Sequence, residues 1–146
     1  MSNIIALRKI LDLRNDEKNQ ALLEQKEAVD QFEKVAKQLY TELKTKETAE
    51  STLDDMYKDS GIIFKIREQT LYIDSLNRQI ALLQKEVQEA RNKMEEKQTI
   101  VTEKHVELKK VEKMIEKREE QAKAELALAE MKQMDEISLT QYIRAE

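Results

Sequence analysis

The chain contains no proline, no cysteine, no tryptophan and a single glycine, Gly61. A globular sequence of 146 residues would ordinarily carry about ten glycines and about seven prolines. Those two residues make turns and end helices. A chain nearly without them has nearly no turns, which excludes sandwiches, barrels and α/β folds. Without cysteine there are neither disulfides nor thiolate metal sites. Aromatics amount to 4%, too few for a thick core. No apolar run approaches the roughly 20 residues of a membrane span. Residues 1–5 show no basic stretch ahead of an apolar one, and Arg8, Lys9 and Asp12 break up the aliphatic residues beyond them, so no signal peptide is expected.

The residues that dominate are charged and helix-forming. Asp, Glu, Lys and Arg make up 38% of the chain, 26 basic against 30 acidic, for a net charge of −4. Both signs are interspersed without a polybasic block, which argues against nucleic-acid binding. Ala, Glu, Lys, Leu and Gln favour helix, and this composition is that of a coiled coil or long helix. Such a chain buries a narrow seam and offers few sheltered pockets for catalysis.

The second half shows the seam most clearly. Every seventh residue from Ile73 is apolar: Ile73, Ile80, Val87, Met94, Val101, Leu108, Ile115, Ala122. Three positions on, the companion series reads Leu76, Leu83, Ala90, Lys97, Lys104, Val111, Arg118. This 3-4 spacing over about seven heptads is a coiled-coil seam, and a strict seven-residue repeat implies a left-handed supercoil. The first half is noisier. A track of Leu22, Val29, Ala36 and Leu43 runs beside Phe32, Leu39 and Leu53, interrupted by Gln25, Lys46 and Glu50. The stretch from Arg14 to Gln20 is wholly polar, so the contact there is expected to be thin. Acid-before-base pairs at i,i+4, namely Glu33/Lys37, Glu42/Lys46, Asp54/Lys58 and Glu89/Lys93, are expected to add a few tenths of a kcal/mol each to their helices.

Between the two patterns lies Asp59-Ser60-Gly61. Gly61 can take the left-handed conformation that closes a helix, and Ser60 suits the cap of the next one. Two seams brought together by a tight turn cover each other. The predicted fold is therefore all-α: a long antiparallel two-helix coiled-coil hairpin forming one domain over 1–146, with its turn at about residues 59–62. Helix 1 spans about 3–58 and helix 2 about 63–140, with a frayed tail. The alternative is one continuous helix in a parallel dimer, with Gly61 a tolerated defect. In the hairpin, residue i faces roughly residue 122 − i. Helix 2 then has an intramolecular partner only to about Arg118 and overhangs beyond it. With its seam closed internally, the hairpin is expected to be monomeric alone.

The overhang carries Leu126, Leu128, Met131, Met134, Ile137, Leu139, Tyr142 and Ile143, and the N-terminus across from it carries Ile4, Ile5, Leu7, Ile10, Leu11 and Leu13. Apolar surface without an internal partner marks a contact surface, and methionines suit adaptable contacts. The competing reading is that this end packs on itself or frays. Ile62, Ile63 and Phe64 predict an apolar tip. Tyr40, Tyr57 and Tyr72 flank the seam, either as incidental rim residues or as interface anchors. Catalytic chemistry finds no footing. One glycine cannot build a phosphate loop, and the lone histidine, His105, has no His or Cys partner for a metal site. No catalytic residue, metal or cofactor is expected, and the chain is not expected to be an enzyme.

The chain resembles the FliJ family, the coiled-coil component of the bacterial flagellar type III export apparatus. The resemblance covers the full length. It rests on total size, on the turn Ser60-Gly61-Ile62, on the spacing of Tyr72, Leu76 and Ile80, and on the run Met131-Lys132-Gln133-Met134-Asp135-Glu136. Leu7, Leu11 and Leu13 ahead of a charged helix also fit. It implies an antiparallel two-helix stalk resembling that of rotary ATPases. The end carrying both termini would enter the pore of the hexameric export ATPase and promote ring assembly and ATP turnover. A two-helix stalk about 20 Å across, from helix diameters of 10–12 Å, fits a pore. On that reading Ile4, Leu7, Leu11, Leu126, Met131, Met134 and Ile137 form the ATPase-binding end. The resemblance also implies contact with the export gate membrane protein along the side of the coil, at Gln38, Tyr72 and Leu76, and with export chaperones. Glu42, Thr45 and Ala49 depart from the aromatic or aliphatic types expected at that contact. No nucleic acid and no direct membrane insertion are implied. The expected location is cytoplasmic, peripheral on the inner membrane. The alternatives are a structural coiled-coil scaffold and the equivalent stalk of a virulence secretion system.

Overall fold

The computed structural model describes residues 2–59 and 62–145. They form two helices, α1 (Ser2–Lys58) and α2 (Ile63–Ala145), and no strand among the described residues. Ser60 and Gly61, on which the turn was placed, lie outside the described residues. On either side of them the main chain closes tightly. The Asp59 N–H donates to the Asp55 carbonyl at 3.0 Å, and the Lys65 and Ile66 N–H groups reach the Ile62 carbonyl at 2.9 and 3.2 Å. Since α2 begins at Ile63, its capping position is Ile62 rather than the predicted Ser60. At the other end α2 continues to Ala145, five residues beyond the predicted limit.

Contacts divide the chain into two compact units, Ala21–Val101 and Met1–Gln20 with Thr102–Glu146. Within the first, the two helices run antiparallel. Lys97 Nζ lies 3.2 Å from Glu24 Oε2, Gln25 donates to Gln98, and the Arg91 guanidinium sits 5.6 Å from the Phe32 ring centroid. All three side-chain pairs fall within one residue of the predicted facing register. Gln69 Nε2 donates to the Ala49 carbonyl at 3.0 Å, four residues from that register and within reach of a long side chain. The buried residues are Ala21, Ala28, Val35 and Ala49 from α1 and Ile73, Leu76 and Ile80 from α2. Ala49, Ile73 and Leu76 form one cluster, with Leu53 packed against it.

Within the second unit the same antiparallel sense appears. Lys104 Nζ lies 3.6 Å from Glu17 Oε2, and Arg8 Nη2 lies 2.7 Å from Glu119 Oε1. Leu108, Val111 and Ile115 are buried. Beyond Glu119, every described residue of α2 is exposed.

The predicted seam of α2 holds from Ile73 to Ile115, although Arg118 and Ala122 at its predicted end are exposed, whereas that of α1 is corrected by one residue. Leu22 and Leu43, predicted inward, are 41% and 42% exposed, whereas Ala21 is 6% exposed. The inward series at seven-residue spacing is Leu7, Arg14, Ala21, Ala28, Val35, Glu42, Ala49, Met56, all at least half-buried. Its companions include the predicted Phe32, Leu39 and Leu53, together with Gln25 and Lys46. Alanines at the interface let the two backbones approach, so small side chains turn inward and leucines beside them lie on the rim. The ion pairs also differ. Lys46, predicted to pair with Glu42, instead reaches Glu50 at 3.7 Å.

Candidate functional site

The overhang is an exposed helix most of whose large apolar residues lie off the hairpin seam. Extending the seven-residue series past Ile115 gives Ala122, Ala129, Glu136 and Ile143 on one track, and past Val111 gives Arg118, Glu125, Lys132 and Leu139 on the other. Small and charged residues thus hold these tracks from Arg118 to Glu136, and Leu139 and Ile143 return to them at the end. Six large apolar residues, Leu126, Leu128, Met131, Met134, Ile137 and Tyr142, lie off both tracks. At about 100° per residue, Leu128, Met131, Leu139 and Tyr142 share one arc, while Leu126, Met134 and Ile137 share another, roughly opposite. All seven are exposed, from 51% at Ile137 to 68% at Leu128 and Met134. A helix apolar on more than one side is ordinarily one that is buried all round.

The expected N-terminal members behave differently. Ile4, Leu7 and Leu11 are half-buried, at seam positions. Their chemistry serves pairing with α2. The exposed aliphatics here are Ile5, Ile10 and Leu13, which the site prediction omitted along with Leu128, Leu139, Tyr142 and Ile143. The signal that separates the two sets is the heptad phase. Counting back by sevens from the inward Ala21 reaches Leu7 and leaves Ile5, Ile10 and Leu13 off the seam.

The lateral residues lie in the Ala21–Val101 unit. Gln38 is exposed and lines an open groove with Lys34, Lys37, Thr41, Glu42 and Leu83. Tyr72 is 48% exposed and lines a second groove with Thr45, Thr48, Ala49, Thr52 and Gln69. By heptad position Gln38, Thr45, Thr52 and Tyr72 all flank the seam on the same side. In the antiparallel register Gln38 and Tyr72 stand about 18 Å apart along the helices, at 1.5 Å per residue. Leu76 is 5% exposed and packed with Ala49 and Ile73. It shapes this flank from within and has no side-chain surface to present. In the first groove lies Glu42, whose Oε2 atom is buried with no hydrogen-bond partner among the described residues.

Among the described residues, no group of three or more His, Cys, Asp or Glu could hold a metal ion, and no helix is long and apolar enough to cross a membrane. Fold and surface together define a helical-hairpin protein whose second helix outruns its intramolecular partner and carries its own apolar faces. Comparison with known proteins is decisive about the family. The model of the family described as Flagellar FliJ protein matches residues 2–146. A curated relative from Bacillus subtilis (strain 168), "Flagellar FliJ protein", is 38% identical over 135 residues, covering 92% of each chain. No solved structure matches. The chain belongs to the FliJ family and is a component of the flagellar export apparatus. That membership decides for the flagellar reading over the virulence counterpart.

Proposed function

We propose that this chain acts as a single hairpin stalk whose overhanging end, Glu120 onward, is gripped by the hexameric flagellar export ATPase and promotes its assembly and turnover. The observation that carries the reading is the departure of six large apolar residues, Leu126, Leu128, Met131, Met134, Ile137 and Tyr142, from the hairpin seam. A second helix designed only to fold back on the first would keep its apolar residues on one arc. Here Leu126, Met134 and Ile137 occupy one side and Leu128, Met131, Leu139 and Tyr142 another, which suits a partner that surrounds the helix. Ile5, Ile10 and Leu13 extend the apolar surface at the N-terminal end, while Ile4, Leu7 and Leu11 hold the two helices together beneath it.

The lateral flank with Gln38 and Tyr72 is the proposed contact for the export gate membrane protein, and export chaperones are the further proposed partners. Leu76 takes part there by supporting the surface from inside. The work is done at the cytoplasmic face of the inner membrane, as a peripheral component. A pull-down with the cognate export ATPase tests the central contact. Full-length chain is expected to be retained, and a chain truncated after Arg118 is expected to be lost while its hairpin remains helical by circular dichroism. Equal retention of both would refute the assignment.

A further inference from the structure

The arc formed by Leu128, Met131, Asp135, Leu139 and Tyr142 has a property that the proposed ring contact does not require. The spacings along it are three, four, four and three residues, so the arc reads the same in both directions about Asp135. At about 100° per residue its five members fall within about 80° of circumference. All lie on α2 and all are exposed. A stripe that is symmetric about its own midpoint can pair antiparallel with an identical stripe through a two-fold axis, each contact occurring twice.

We propose that two copies of this chain associate weakly through this arc, as an antiparallel helix pair centred on Asp135. Leu128 of each copy faces Tyr142 of the other, and Met131 faces Leu139. Asp135 meets its own counterpart at the axis, and a pair of carboxylates there opposes association. Lys132 answers that repulsion: on the antiparallel pair it stands one turn from the Asp135 of the second copy, giving two symmetric acid–base contacts. Four apolar side chains per copy make a small contact, below the roughly 1,200 Å² that marks the low end of stable interfaces. The pair is therefore transient. It revises the monomer expected from the hairpin alone and leaves the opposite arc, Leu126, Met134 and Ile137, uncovered. Transient pairing shields this apolar end while no other partner holds it.

The natural absence of cysteine makes the geometry directly testable in the full-length chain, without any ATPase present. Under mild oxidation with copper phenanthroline, Asp135→Cys is expected to form a disulfide-linked dimer. Leu128→Cys and Tyr142→Cys are expected to link poorly alone and well when mixed. Met131→Lys with Leu139→Lys, added to Asp135→Cys, is expected to abolish linking, which separates the pair from random collision. Asp135→Leu removes the central repulsion and is expected to shift sedimentation towards dimer by tenfold or more in concentration. A sedimentation coefficient constant from micromolar to near-millimolar concentration with no Asp135→Cys linkage would overturn the proposal. So would self-linking of Leu128→Cys as efficient as that of Asp135→Cys, which indicates a parallel pair. Neither result bears on ATPase retention, so the two readings fail separately.

Discussion

Glu42 occupies a seam position at which Val35, Ala49 and Met56, one and two heptads away, are apolar. Its Oε2 is buried without a hydrogen-bond partner among the described residues. A buried polar atom left unpaired costs about 1–3 kcal/mol, and the surrounding flank shows no offsetting contact to that oxygen. Replacing Glu42 by leucine is therefore expected to raise the stability of the hairpin by about that amount, read as a higher midpoint in a thermal melt followed by circular dichroism. An unchanged or lower midpoint would show that the carboxylate is satisfied in solution. A residue kept at such a cost lies on the flank proposed for the gate contact, where a donor from a partner could complete it. This position was legible in the sequence as an anomaly of residue type. Its burial was not, because the phase of the first helix was read one residue away.

At the scale of the helices, stability rests on a narrow apolar seam with little help from charge. Ile80, buried at 5% exposure, is expected to cost about 2–4 kcal/mol when replaced by alanine. Arg8, although only 2.7 Å from Glu119, pairs at the surface with side chains 63% and 43% exposed, and Arg8→Ala is expected to cost less than about 1 kcal/mol. Denaturant titrations of the two variants check the contrast. Equal losses would mean that ion pairs carry the pairing. How far each helix could be read in advance depends on the same seam. In α2 it is built from Ile73, Leu76, Ile80, Leu108, Val111 and Ile115, whose size makes the repeat conspicuous. In α1 three of the four buried residues are alanines, Ala21, Ala28 and Ala49, while Leu22 and Leu43 ride on the rim. Reading by hydrophobic bulk therefore chose the rim. The antiparallel register was still recovered, because it depends on the break before α2 and not on the phase of α1.

For the whole molecule, the feature that matters is that α2 outruns its intramolecular partner. The overhang was legible from the position of the single glycine, but its two apolar arcs were not, since a list of hydrophobic residues carries no direction around the helix. Family membership makes the chain a flagellar export component. The proposed place of action is the overhang, and the lateral flank is proposed as a second, separate contact. The most direct measurement is the rate of ATP hydrolysis by the cognate export ATPase with full-length chain, with the chain ending at Arg118, and with Leu126, Met134 and Ile137 together changed to serine. The account predicts stimulation by the full-length chain, none by the truncated chain, and a loss of at least about tenfold in apparent affinity for the triple variant, since each 1.4 kcal/mol lost is a factor of ten. Full stimulation by the truncated chain, with its hairpin shown to be folded, would contradict it.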